Sequence, residues 1–290
     1  MYAVITTQTN IMRIIHRYLI FEKNKKLSQL LGKLGIQYRE EERILGKDVS
    51  YYMLEFYLYE DDHGFENNSK QIGKFEIEPQ VGTEFSKEDE ENAEWFMLST
   101  GQFGYPQPEN SYFELTYAKE DVCLHCQIGK QQVNPFRFKE PPRAKNSQFL
   151  GLNWIFDEIF VCEKVTGVFE ERGIKGARYS SPVLHKTQMA LEVIQQLHVD
   201  TVLLPGLLTD NLSVEICLKN CGQKKYNYPM RGAMTFKKEL FIDQPDFVRT
   251  YEWFGSGGSA SRPILVSQKV RQIIIKAKMR GAFFRPIVLV

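Results

Sequence analysis

Residues 160–182 read FVCEKVTGVFEERGIKGARYSSP, and residues 265–286 read LVSQKVRQIIIKAKMRGAFFRP. Aligned without gaps, Val161, Lys164 and Val165 face Val266, Lys269 and Val270, while Val168, Phe169 and Ile174 face Ile273, Ile274 and Met279. Gly176-Ala177 then faces Gly281-Ala282, and with one residue dropped Pro182-Val183 faces Pro286-Ile287, at an offset of about 105 residues. Apolar residues at i, i+3 and i+4 predict a helix with one buried stripe in each segment. Ser267 is a good N-cap for the second helix, whereas Cys162, at the equivalent place, is a poor one. Gly176 and Gly281 follow the helices, where a tight or left-handed turn needs a residue without Cβ. The short run after each glycine predicts a strand that proline ends. One α/β unit therefore occurs twice.

A close pair of cysteines precedes each copy: Cys123-Leu124-His125-Cys126 and Cys217-Leu218-Lys219-Asn220-Cys221-Gly222. Two knuckles that each deliver two thiolates are what a closed tetrahedral zinc site needs. The competing readings are ordinary buried cysteines and, for the first pair, a redox motif. The redox motif belongs at a helix start just after a strand in a βαβ pattern, a context the first pair lacks. A site with four protein ligands has no open position for substrate, so it bears on fold rather than catalysis. A duplicated unit in which each half gives one knuckle to a shared metal explains why two distant pairs coexist.

The chain has 290 residues, 43% hydrophobic and 13% aromatic, enough for a core without staples. The net charge of +1 hides an asymmetry, since residues 1–120 carry 13 Lys+Arg against 21 Asp+Glu and residues 121–290 carry 24 against 15. Two regions with different surfaces follow, without the global basicity of a dedicated nucleic-acid binder. Five cysteines, four of them in the pairs and Cys162 left over, favour thiolate–metal chemistry in a reducing compartment. Arg13, His16 and Arg17 interrupt the apolar run at 11–20, so no signal peptide is expected, and no run is long enough to span a membrane. The expectation is a soluble, cytoplasmic α+β protein: an acidic, mixed region over 1–110, then a duplicated α/β unit with paired cysteine knuckles over 111–290, its copies at roughly 111–184 and 212–290.

Within the first region, Ile11, Ile14, Ile15 and Leu19 fall at helical spacing, as do Leu27, Leu30, Leu31 and Leu34 before a stop at Gly35. Residues 51–59 (YYMLEFYLY) and 74–78 (KFEIE) predict strands around a turn at Asp61, Asp62 and Gly64. Residues 86–97 predict an acidic helix capped by Ser86, with Glu88, Asp89, Glu90 and Glu91 in its first turns. That helix is a solvated face or a docking surface for a basic partner. Residues 111–117 (SYFELTY) predict a strand. Between the copies, 185–199 predicts a helix with Met189, Val193, Ile194 and Leu197 on its core face, and Val202 begins a short strand.

Little points to catalysis. His16, His63, His125, His185 and His198 are scattered, and no nucleophile-elbow or zinc-protease motif occurs. Asp157 and Glu158 are adjacent and are expected to point different ways, not to form a dyad. The Gly255-Ser256-Gly257-Gly258-Ser259 loop lacks the Lys-Ser/Thr of a phosphate loop. A second, non-enzymatic reading is nucleic-acid binding by a zinc-ribbon-like module through Lys224, Lys225, Arg231, Lys237 and Lys238, with Tyr226 and Tyr228 to stack on bases.

The order of motifs also resembles a known family. After the first pair come KQQVNPFRFK (130–139), Leu152-Asn153-Trp154, Asp157-Glu158 and the Gly-x-x-Gly segment ending in Pro182-Val183. Then come Cys221-Gly222, Trp253-Phe254-Gly255, Val266-Ser267-Gln268 and Gly281 through Pro286. Over roughly residues 112–290 this resembles the double-CxxCG-motif family, whose members are similar to swarm-inhibition-type immunity proteins of bacterial polymorphic toxin systems. Gln127 stands where the family has its first glycine, and the second pair has one extra residue. The resemblance implies a non-catalytic protein that binds and neutralises a cognate protein toxin, with zinc on Cys123, Cys126, Cys217 and Cys221. The acidic residues 88–91 then stand as candidates to meet a basic toxin.

Overall fold

The computed structural model describes residues 12–45, 49–143, 146–219 and 221–290; Ile11 and Asn220, named above, lie outside them. The chain forms two compact units, Met1–Asn92 with Met230–Ala233, and Ala93–Pro229 with Met234–Val290. Helices and mostly antiparallel sheets occur in both, which makes the protein α+β. Among the described residues no helix is long and apolar enough to cross a membrane.

The first unit contains β1 (Arg13–Ile20), α1 (Lys25–Lys33), β2 (Tyr38–Leu45), β3 (Val49–Tyr59), α2 (Phe65–Gly73), β4 (Gln80–Glu84) and α3 (Lys87–Asn92). Its sheet runs β2-β3-β1-β4, antiparallel throughout. Leu27 and Leu31 of α1 and Ile72 of α2 pack on Tyr18, Leu54, Phe56 and Leu58. Tyr18 and Phe56 face each other in the register and stack at 4.6 Å. The helix over 25–33 forms as its leucine spacing predicts, capped by Asn24 and ended at Gly35 with φ +67°. The helix expected around 14–19 does not form. A short apolar run fits either period, and here β3 and β4 flank β1 and satisfy its backbone on both edges. Residues 74–78 are also not a strand: they leave α2 as irregular chain, and Phe75 and Ile77 pack on the core from there.

The second unit begins with β5 (Trp95–Thr100), α4 (Tyr112–Thr116), β6 (Arg137–Phe138), β7 (Phe149–Leu152), β8 (Ile155–Val161), α5 (Glu163–Glu171), β9 (Arg178–Ser180) and β10 (Val183–Leu184). It continues with β11 (Gln195–His198), β12 (Val214–Ile216), β13 (Lys224–Tyr226), β14 (Thr235–Phe236), β15 (Phe247–Arg249), β16 (Ile264–Ser267), α6 (Gln268–Lys276), β17 (Ala282–Pro286) and β18 (Val288–Leu289). Three expectations fail here. Residues 86–97 divide between α3 and β5 instead of forming one helix. Residues 112–116 are helical and Tyr117 is extended, and Tyr112 and Tyr117 both pack in the cluster around Phe136, tertiary packing that overrides strand propensity. Residues 185–199 are turns followed by β11; Met189 and Val193 are exposed, while Ile194 and Leu197 enter different cores.

The duplication extends beyond the segments that reveal it. β7 pairs with β8 as β15 pairs with β16: Phe149↔Val161 matches Phe247↔Val266, and Leu150↔Phe160 matches Val248↔Leu265. The parallel pair β10/β6 repeats as β18/β14, with Val183↔Arg137 matching Val288↔Thr235, so Val183 corresponds to Val288 and not, as the alignment with one residue dropped places it, to Ile287. The two four-stranded sheets run β7-β8-β11-β9 and β15-β16-β5-β17. β5, which opens the first copy, therefore sits in the sheet of the second, and β11, which opens the second, sits in the sheet of the first. The registers agree: Gln196 lies opposite Phe160 and Ser180, as Met97 lies opposite Leu265 and Arg285.

The contacts between copies are reciprocal, as in an isologous dimer. Gly176 (φ +89°) lies against the Phe247 carbonyl, where a Cβ would come within 2.5 Å, and Gly281 (φ +94°) lies against the Phe149 carbonyl, where it would come within 2.4 Å. Asp246 accepts a hydrogen bond from the Lys175 N–H (3.0 Å), and Gln148 accepts one from the Arg280 N–H (2.7 Å). One core serves both copies, with Phe149, Val161, Val165 and Phe169 against Phe247, Val266, Val270 and Ile274. Burial of each large apolar side chain there contributes about 1.5–3 kcal/mol. A smaller core lies to each side, around Phe138 and Phe160 in one copy and Phe236 and Leu265 in the other.

Candidate metal centre

The two knuckles share one hydrogen-bond frame. In the first, the Gln127 N–H donates to the Cys123 carbonyl (2.6 Å) and the Cys123 N–H to the Ile128 carbonyl (2.9 Å). In the second, the Gly222 N–H donates to the Cys217 carbonyl (2.8 Å) and the Cys217 N–H to the Gln223 carbonyl (3.0 Å). The residue after each second cysteine is left-handed, Gln127 at φ +64° and Gly222 at +66°. Both departures from the motif are thereby absorbed: glutamine takes a conformation suited to glycine, and the extra residue leaves the frame unchanged. Gly129 (φ +87°) admits no side chain, because a Cβ would lie 2.3 Å from the Asp121 carbonyl oxygen.

This frame brings Cys123, Cys126, Cys217 and Cys221 together, with all four Sγ atoms within 4.8 Å of one another. Equivalent cysteines face each other, Cys123 and Cys217 at 3.7 Å and Cys126 and Cys221 at 3.6 Å. Metal–sulfur bonds of about 2.3 Å in a tetrahedron give an edge of about 3.8 Å, so the donor set fits a tetrahedral thiolate-bound metal. Burial opposes ionisation of Cys123, but N–H groups of the knuckle and the neighbouring thiols outweigh it and bring the thiol down to about 6. Burial and the adjacent thiols push Cys126 up. Ile128, Ala260 and Trp253 pack around the sulfurs. Leu124 and Leu218, at equivalent positions on the knuckle tips, are 72% and 89% exposed.

Ile128 and Trp253 also line a cleft of about 930 Å³ in the same unit. Asp157 and Glu158, expected to point different ways, both line it, each held by its own partners. Lys130 Nζ binds Asp157 at 2.9 Å, Arg249 binds Glu158 at 3.2 Å, and Gln196 donates to Glu158 at 3.0 Å. Arg249 also reaches the Asp157 carbonyl (2.8 Å), tying the second copy to the first. Burial pushes the Glu158 carboxyl up against the opposing pull of Arg249. His198, bonded to the Ser180 hydroxyl at 2.6 Å, falls to about 4 through burial and the nearby Arg178. Gln196 and Arg249 carry no motif of their own; the available signals were Lys130 at the head of KQQVNPFRFK and two acids inside an otherwise apolar strand, IFDEIFV.

The other candidates are placed differently. Glu88, Asp89, Glu90 and Glu91 belong to the first unit, on the short α3, where Asp89 closes a capping box with Ser86 and Glu91 pairs with Lys87. Of the basic set, Lys225 is fully buried and Lys238 and Arg231 pair with Glu94 and Glu60. Tyr228 stacks on Phe254 instead of standing free for a base. Compared with known proteins, the chain matches no family model and no curated sequence.

Proposed function

We propose that the chain is a non-catalytic binding protein, held by a structural zinc ion, that neutralises a cognate protein toxin by forming a stoichiometric complex. The observation that carries this is the closed set of four cysteines, two from each copy. Zinc is the choice among thiolate-bound metals because it is redox-silent and tetrahedral by preference. With every position filled by protein, the ion stabilises a surface and takes no substrate. The toxin assignment rests on the motif order, and two features suit a binding role: the exposed leucines on the knuckle tips and the acidic α3. Such a complex buries on the order of 1,600 Å² around a few anchors.

The test is co-expression with the product of the neighbouring upstream gene. Restored growth and co-elution at near-equal stoichiometry support the proposal. A product that is not toxic and forms no complex overturns it.

A further inference from the structure

We propose that the cleft beside the metal centre binds a small organic molecule through an oxyanion head, a carboxylate or a phosphate, received by Arg262 and Tyr117. Three independent observations carry this.

The first is charge. The cleft is lined by four cations and three acids. Lys130 pairs with Asp157, Arg178 with Asp200 and Arg249 with Glu158. Arg262 is left over. It makes no ion pair among the described residues and lies over the Trp253 ring, 4.5 Å from its centre.

The second is unmet hydrogen bonding. Arg262 Nε and the Tyr117 hydroxyl are buried without a partner among the described residues, and Tyr117 is 3% exposed. A buried donor left unpaired costs about 1–3 kcal/mol, and of the six such atoms among the described residues these two belong to residues that line the cleft. Both residues line this cleft, and both can donate to an oxyanion.

The third comes from the duplication. At equivalent positions of the two sheets, Gln196 stands for Met97, Glu158 for Pro263 and His198 for Ser99. Asp157 stands for Arg262, and these two meet, the Arg262 N–H reaching the Asp157 carboxylate at 3.3 Å. Packing alone does not ask for polar side chains here, since the other copy is built with apolar ones at two of these places. In the first copy's sheet all four of these places are polar. Asp157, Glu158 and His198 line the cleft, where Arg249 and Arg262 of the second copy join them.

The experiment titrates the full-length, metal-loaded protein with inorganic phosphate and, separately, with acetate, at constant ionic strength, following tryptophan fluorescence and calorimetry. Saturable binding of either probe is expected, and which one binds identifies the head group. Arg262→Gln is expected to weaken binding about tenfold or more. Tyr117→Phe is expected to weaken it by about threefold to tenfold while making the free protein more stable by up to about 1–3 kcal/mol, because it removes a buried hydroxyl with no partner among the described residues. Lys164→Gln, on the exposed face of α5, should bind as wild type. The proposal is overturned if neither probe binds saturably, or if both cleft variants bind as tightly as the wild type. Metal content and the unfolding midpoint of each variant separate loss of binding from loss of fold, and neither readout involves a toxin.

Discussion

Lys130 and Lys225 stand four residues past the second cysteine of their knuckles and meet opposite fates. Lys130 borders an open cleft and pairs with Asp157. Lys225 is fully buried, its ammonium held by the carbonyls of Gly257 and Ser259 and by Glu215. The cause is one hairpin. In the first copy β7 turns tightly into β8, with Leu152 paired to Ile155. In the second, the offset between copies steps from 98 residues before the hairpin to 105 after it, so seven extra residues lie between β15 and β16. That longer connection folds over Lys225, and it also carries Trp253 and Arg262 into the cleft of the first copy. A single insertion thus closes one of two equivalent sites and furnishes the other, while the cysteines, the helices and the shared core stay symmetric.

The comparison can be broken most severely at the cysteines. If the copies share one ion, Cys123→Ser with Cys126→Ser releases all bound metal, although Cys217 and Cys221 are untouched. Binding of a structural zinc is worth about 10 kcal/mol or more, so the second unit should also lose its cooperative unfolding transition. Metal analysis and thermal denaturation read the result, and retention of a full equivalent of zinc would sink the shared site. A smaller and more discriminating pair is Gly176→Ala and Gly281→Ala. Each forces a Cβ against a carbonyl of the other copy in a left-handed conformation, at an expected cost of about 2–4 kcal/mol. The two losses, measured by denaturant unfolding, should agree within about 1 kcal/mol; a large difference would mean that the reciprocal contacts are unequal. The mildest change restores symmetry. Gln127→Gly relieves a left-handed glutamine and should stabilise the protein by up to about 1 kcal/mol, seen as a higher denaturation midpoint with unchanged metal content.

What the sequence disclosed was local. The helices at 163–171 and 268–276, the Ser267 cap and the two glycines each depend on a few neighbouring residues, and each is where its pattern places it. The cysteines were legible because spacing alone makes a knuckle. The exchange of β5 and β11 was not, since Phe96-Met97-Leu98-Ser99 and Gln195-Gln196-Leu197-His198 share one leucine in four positions. Their likeness lies in which backbones they pair with, which no window of sequence contains. β1 failed for the same reason, being a strand because its neighbours are. Arg249 and Arg262 belong to no quoted motif, and only the folding of the second copy against the first brings them to Asp157 and Glu158.

The strand exchange also sets an order of events during synthesis. β11 finds β8 and β9 already made, so the first sheet can close soon after residue 198 leaves the ribosome. β5 has no such partner waiting. Trp95 pairs with Ser267 and Thr100 with Ala282, so the apolar segment WFMLST must remain an unpaired edge while nearly the whole chain is translated. Such an edge is a template for association with other nascent chains. Chains that stop short of β16 therefore lack both strands that flank β5, and residues 264–286 cover an edge made long before them.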